Sequence, residues 1–228
     1  MKYSESTLAN FVEKATATVK SYLGHGKEYK VHISVGNNKI GYTYNFSTLP
    51  ILTCGNCKEC KHSCYDIKAC LQYKNVMQAR AENTAFMRED MHGCFKAIDK
   101  YISGRRTHKF FRWHVAGEIM SLKYFKHMIK IARKHPDWTF WTYTKRYDIV
   151  NEYCRKWFRR SIPKNLTVMF SVWQGMPLVN PYDFPTFECI PDHEELPADV
   201  WLCPGNCEVC KAAHRGCVYG ESSCVREH

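Results

Sequence analysis

No run of about 18 apolar residues occurs in the 228-residue chain, so no membrane-spanning helix is expected. The opening residues, MKYSESTLANFVEK, contain no apolar signal-peptide core, which points to the cytoplasm. Glycine-rich loops of the Walker or dinucleotide-binding kind are missing, which argues against those two modes of nucleotide chemistry. No Ser/His/Asp order stands out as a hydrolytic triad. Internal repeats and low-complexity linkers are also lacking. The expectation is therefore one domain, residues 1–228, with a core over about 30–180 and a cysteine-rich flap over about 181–228.

Cysteine, by contrast, is abundant: 13 residues, an odd number. In a reducing compartment that count argues against a disulfide framework and for metal ligation. Cys54, Cys57, Cys60 and Cys64 fall within eleven residues, at gaps of two, two and three. Thiolates this close repel unless they share a cation. A second group, Cys203, Cys207, Cys210 and Cys217, follows near the end, with Cys224 beyond it. Zinc ribbons favour two Cys-x2-Cys pairs, whereas the first group has the two-two-three spacing of bacterial ferredoxins. The second group begins Cys-x3-Cys-x2-Cys, which leaves one iron of a [4Fe–4S] cluster open. Iron–sulfur is the preferred reading, with zinc as the alternative. Cys70, Cys189 and Cys224 are spare candidates. Cys94 and Cys154 read as small buried residues in helices.

The net charge of +11 invites a polyanion such as nucleic acid. The densest basic groups, Lys100–Lys109 and Arg155–Lys164, read equally well as solvated helix ends.

Hydrophobic spacing predicts a helix over 5–23 and strands over 30–35 and 40–49. Helix follows over about 65–103, broken near Met91–Gly93. Beyond it, strands over 110–118, 138–145 and 166–174 alternate with helices over 121–134 and 147–160. A short strand is expected at 187–190 and a last one at 199–202. The alternation predicts βαβ units and a parallel sheet. The strand faces are unequal: Phe111, Trp113 and Val115 oppose Arg112 and His114. A parallel strand covered on both sides by core is apolar on both faces. The predicted fold class is therefore α/β, a partial (β/α) barrel whose polar face lines a cavity. Ligands in such folds sit at the C-terminal strand ends.

Those ends supply the candidate site. Arg112 inside a cavity calls for an anion. His114 reads as a ligand, a proton donor or a satisfied buried histidine. Glu118 reads as an amine-binding group, a base or a cap, and Lys145 as an anion partner or a solvated lysine. Arg112, His114, Glu118 and Lys145 are the catalytic candidates. Gly117, Glu118 and Ser171 are the cofactor contacts.

Cys54-x5-Cys60-x3-Cys64-Tyr65, Arg80-x2-Asn83, Arg112-x-His114-x2-Gly117-Glu118 and Tyr143-Thr144-Lys145 together resemble the phage-encoded gene product 88 family. Ser34-Val-Gly-Asn37-x-Lys39 and Leu49-Pro50 fit as well. The resemblance spans about residues 32–148 and implies no defined activity. Glu118 stands where the family often has aspartate, and Cys57 looks like an addition. A more distant likeness is to radical S-adenosylmethionine enzymes, which are partial barrels with a cysteine loop after a strand. Their Gly-Gly-Glu-like motif is matched here by Ala116-Gly117-Glu118. That likeness implies a [4Fe–4S] cluster, S-adenosylmethionine and an unidentified small-molecule or nucleic-acid substrate. The opposing reading is a non-catalytic cluster protein that binds nucleic acid or a host protein.

Overall fold

The computed structural model describes residues 2–24, 29–55 and 60–226. The chain divides into two compact units, each discontinuous in sequence. The first comprises Met1–Ile33, Phe46–Arg105 and His114–Met120; the second comprises Ser34–Asn45, Arg106–Trp113 and Ser121–His228.

The first unit is helical. Helix α1, Glu5–Lys20, starts where the Ser4 hydroxyl accepts the Thr7 amide. Its stripe of Leu8, Phe11, Ala15 and Val19 is buried, at the helical spacing. The stripe joins Leu49, Ile67, Cys70, Met77, Ala81 and Ala85 in one core cluster. Full burial of a side chain such as Phe11 contributes about 1.5–3 kcal/mol. The predicted helical stretch forms three helices rather than two: α2 Tyr65–Gln72, α3 Lys74–Glu89 and α4 Met91–Ser103. Asp90 makes the last break. Its amide closes α3 on the Phe86 carbonyl while its carboxylate accepts the Gly93 amide and starts α4.

Two α3 side chains fasten loops. The Asn83 amide group donates to the His32 and Ser47 carbonyls, and its oxygen accepts the His32 N–H. Thr84 accepts the Leu49 N–H and donates to the Arg80 carbonyl. Beneath them Arg80 is ion-paired with Asp66, which is 1% exposed. Cys70 lies against the pair, its Sγ 3.7 Å from Asp66 Oδ2 and 3.6 Å from Arg80 Nη1. Burial, together with Asp66, pushes the Cys70 thiol up to about 12.

The second unit carries an eight-stranded sheet. In chain order the strands are β1 Ile33–Asn37, β2 Gly41–Phe46, β3 Phe110–Trp113, β4 Thr139–Thr144, β5 Leu166–Val172, β6 Thr186–Ile190, β7 Trp201–Leu202 and β8 Ser223–Arg226. They lie in the order β1-β2-β3-β4-β5-β6-β8-β7, an open sheet with two edges. Pairing is parallel from β3 through β6, and β8 is parallel to both β6 and β7. The fold is thus mixed α/β with a mostly parallel sheet.

Helices α5 Leu122–Lys134 and α6 Tyr147–Trp157 are the β3–β4 and β4–β5 crossovers. They meet edge to face through Phe125 and Tyr153, and Tyr147 lies against Phe170 of β5. Asn165 reaches the carbonyls of Ala132, His135 and Trp138, tying the end of α5 to the start of β5.

Register fixes which residues share a face. Arg112 pairs with Trp141, Trp141 with Thr167, and Tyr143 with Met169. The centre of that face is filled: Trp141 and Met169 are buried under Cys217 and Val218. The predicted strand at 110–118 ends at Trp113, because His114 turns to φ 55° and donates its N–H to the Phe46 carbonyl. Arg112 and His114 therefore do not continue one alternating face. The helix expected over 147–160 ends at Trp157, followed by a 3-10 turn at Arg159–Ser161. Strand β8 has no counterpart in the sequence reading. None of the described helices is long and apolar enough to cross a membrane.

Replacing Arg80 by Met leaves the Asp66 carboxylate buried without its cation. The expected loss is about 3–5 kcal/mol, measured as a lower urea midpoint. A loss below about 1 kcal/mol would show that the pair carries little.

Candidate metal centre

The second cysteine group is built by three short elements of the second unit. Strand β7 runs into Cys203, whose amide bonds the Cys224 carbonyl at 2.7 Å. Asn206 then caps α7, Cys207–Ala213, by accepting the Glu208 amide. The helical spacing sets Cys207 and Cys210 on one side of α7. Cys217 opens the 3-10 turn Cys217–Tyr219. All four thiols feel one another. Burial raises Cys207 to about 11, and Cys217, Cys203 and Cys210 add to the rise while Arg112 opposes it. Burial also raises Cys217 and Cys210; Cys203 contributes to both, and Cys210 to Cys217. Uncharged thiols are the stable form of such a group unless a cation joins it.

Polar side chains surround the thiols. The Tyr143 hydroxyl donates to Cys217 Sγ at 2.7 Å. Burial first, then Cys217, holds that hydroxyl well above its ordinary value. The Arg112 guanidinium lies 4.7 Å from the centre of the Tyr143 ring. The Trp201 indole and Cys210 Sγ converge on Gly216, where an added Cβ would meet them at 2.9 and 3.2 Å. The Trp141 indole N–H is buried and has no acceptor among the described residues, whereas the Trp201 indole N–H is directed at Cys210 and acts to lower its thiol.

Lys211, one residue beyond Cys210, is only 7% exposed. Its ammonium donates to the Tyr42 carbonyl at 2.9 Å, Thr43 Oγ1 at 2.8 Å and Glu208 Oε1 at 2.7 Å. It also stands over the Phe110 ring. This clamp fastens α7 to β2, and no spacing in the sequence signals it, because Lys211 and Thr43 lie 168 positions apart.

The first cysteine group belongs to the first unit. Cys54, Cys60 and Cys64 are half-buried, and Cys57 lies outside the described residues. Cys64 immediately precedes α2. Burial raises its thiol, the amides of Ile67 and Asp66 lower it, and Asp66 and Cys60 raise it. Tyr65, the next residue, donates its hydroxyl to the Val115 carbonyl and so ties this group to the 114–120 segment. His114 and Glu118 are buried there, 3% and 7% exposed. Of the catalytic candidates, then, His114 and Glu118 belong to the first unit and Arg112 and Lys145 to the second. Lys145 stands 5.4 Å from the Trp173 ring centre, and the Ser171 carbonyl accepts the Tyr147 hydroxyl. Arg112 joins the second cysteine group, where it acts to lower Cys207 and Cys217. Among the described residues no three His, Cys, Asp or Glu side chains already stand in metal-holding geometry.

A family model described as gene product 88 matches residues 12–177. The chain belongs to the gene product 88 family. No curated protein and no solved structure matches it. The stretch shared with gene product 88 contains the first cysteine group, Arg80, Asn83, Arg112, the 114–118 segment and Lys145, and it stops before Cys203. Two of those gene product 88 residues have evident structural work. Asn83 binds two loops, and Arg80 neutralises Asp66.

Gly117, expected as a cofactor contact, is demanded by the backbone itself. It holds φ 85°, and a Cβ would lie 2.0 Å from Thr48 Oγ1 and 2.8 Å from Thr53 Oγ1. Those two hydroxyls are bonded to each other at 2.9 Å and buried. Gly24 has φ 69°, and among the described residues nothing lies within 4 Å of an added Cβ. Gly24→Ala is expected to cost about 1 kcal/mol, from backbone preference alone. Gly117→Ala adds the collision and should cost clearly more. Equal losses in thermal unfolding would remove the steric account.

Proposed function

We propose that this chain is an iron–sulfur protein whose Cys203, Cys207, Cys210 and Cys217 hold a [4Fe–4S] cluster, on an open sheet that is a partial (β/α) barrel. The barrel reading draws on the consecutive parallel strands β3 to β6 with α5 and α6 as crossovers. The observation that carries the cluster reading is the gathering of four mutually interacting thiols beside a cation, with the Trp201 N–H directed at Cys210 and a buried Trp141 N–H that has no acceptor among the described residues. Thiolates and sulfide are acceptors for such N–H groups, and the arginine offsets the net negative charge of a thiolate-bound cluster. Trp141, Trp201, Tyr143 and Arg112 would then tune its potential. When bound, the cluster supplies one-electron chemistry or a rigid cross-link.

Four thiolates complete the ligand set of such a cluster, which favours a redox or structural role for the second group. A cluster-dependent enzyme of the radical S-adenosylmethionine kind is the second reading, and the first group favours it. The spacing Cys54-x5-Cys60-x3-Cys64 offers three thiolates without Cys57 and leaves one iron for S-adenosylmethionine or substrate. His114, Gly117 and Glu118 are then the residues to examine.

Anaerobic purification with iron and acid-labile sulfide analysis tests the proposal. About four irons and four sulfides per chain are expected for one cluster, about eight of each for two. Cys217→Ser should remove one cluster's worth while Cys64→Ser leaves that portion in place. Stoichiometric zinc without sulfide would overturn the reading. Formation of 5′-deoxyadenosine from S-adenosylmethionine would decide for the enzyme.

A further inference from the structure

A surface away from the cysteines has the chemistry of a single-strand platform. Residues 155–160, Arg-Lys-Trp-Phe-Arg-Arg, are exposed without interruption at the end of α6. Large aromatic residues seldom sit in such a run unless they meet something. Phe158 is 63% exposed and Trp157 38%. Phe158 also adopts φ 65° and ψ 147°, a backbone conformation that is strained for a bulky residue. Its exposed ring returns little burial against that strain. Hydrogen bonds hold the backbone there: the Phe158 N–H donates to the Cys154 carbonyl, and its carbonyl accepts both the N–H and the hydroxyl of Ser161.

Cations frame the rings. Lys126 Nζ stands 3.8 Å above the Trp157 ring, and the Arg160 guanidinium lies 5.4 Å from the Phe158 centre. Arg159 is steadied over Phe184, and Arg133 bonds the Ser161 carbonyl. Glu152, the carboxylate close by, is paired with Lys156. The patch is thus strongly positive, with a presented ring at its middle, in a chain of net charge +11.

The geometry points to single-stranded nucleic acid as the partner of this surface: a base stacks on Phe158 while Arg159, Arg160 and Lys126 meet the flanking phosphates. Base faces and phosphates are common to DNA and RNA, so the contact is indifferent to sequence and sugar. A duplex hides its base faces and offers phosphates alone. An acidic protein or an anionic membrane would satisfy the charges but leave the stacking face without a specific partner.

Fluorescence anisotropy with a labelled oligodeoxythymidine tests this, with oligouridine, a duplex and phosphatidylserine vesicles as further arms. Glycine takes φ 65° without strain, so Phe158→Gly should fold at least as stably as the parent. It should bind oligodeoxythymidine at least about fivefold more weakly. Arg159→Gln with Arg160→Gln should lower the slope of log K against log salt by about 1.4. Oligouridine should behave alike, and the duplex should bind less well. The inference fails if Phe158→Gly binds oligodeoxythymidine like the parent, if the duplex is preferred, or if the vesicles alone bind. Should the glycine variant not fold, an unchanged salt slope in the double arginine variant is by itself sufficient to reject it.

Discussion

Cys217 and Val218 rest on Trp141 and Met169, and the architecture of the second unit depends on that contact. Tyr143 bonds the Cys217 sulfur, and Thr167 donates to the Val218 carbonyl at 3.1 Å. These side chains share a sheet face only because β4 and β5 pair in parallel with Trp141 opposite Thr167. A slip of β5 by one residue would send Thr167 and Met169 to the face opposite Trp141 and Tyr143. Trp141 would then lose Met169 beside it, Val218 would lose the Thr167 hydroxyl, and the cysteines would lose their seat. The contact thus converts strand register into the placement of thiols.

The same contact explains how a cysteine-rich segment with so little regular structure can be ordered. Helix α7 is seven residues long, too short to persist alone in water. It is held instead by Asn206 at its start and by Lys211 inside it, whose ammonium draws on β2 for acceptors. A buried ammonium is costly unless fully bonded, and this one is. Strand β8 then enters between β6 and β7, so that the segment finishes as part of the sheet.

Periodicity carried the regular elements. The stripes of α1, α5 and α6 and the runs of β4 and β5 are long enough for spacing alone to identify them. Two kinds of feature escaped it. Ser223–Arg226 is four residues with a charge at its end, and only its neighbours make it a strand. His114 sits in an alternating run, yet the chain leaves the extended conformation there to bond the Phe46 carbonyl. Ala116-Gly117 just beyond was the available hint, since a glycine at the end of a strand pattern marks a turn. The unequal face of Arg112 is legible in the sequence, but only strand register sets Trp141 and Met169 on that same face, so it reads as open in sequence and is filled in three dimensions.

Neighbouring charge separates one buried cysteine from another. Asp66 and Arg80 look unremarkable fourteen positions apart, yet they form a pair inside the first unit with Cys70 against it. That thiol, pushed up to about 12, is a neutral packing group at any physiological pH. Cys217 is buried too, but Tyr143 donates to it and Arg112 acts to lower it. At Cys217 the donor and the cation oppose burial, whereas at Cys70 the Asp66 carboxylate adds to burial and Arg80 opposes both only in part. Two buried cysteines of one chain thus differ in the balance of charge that their neighbours set around them.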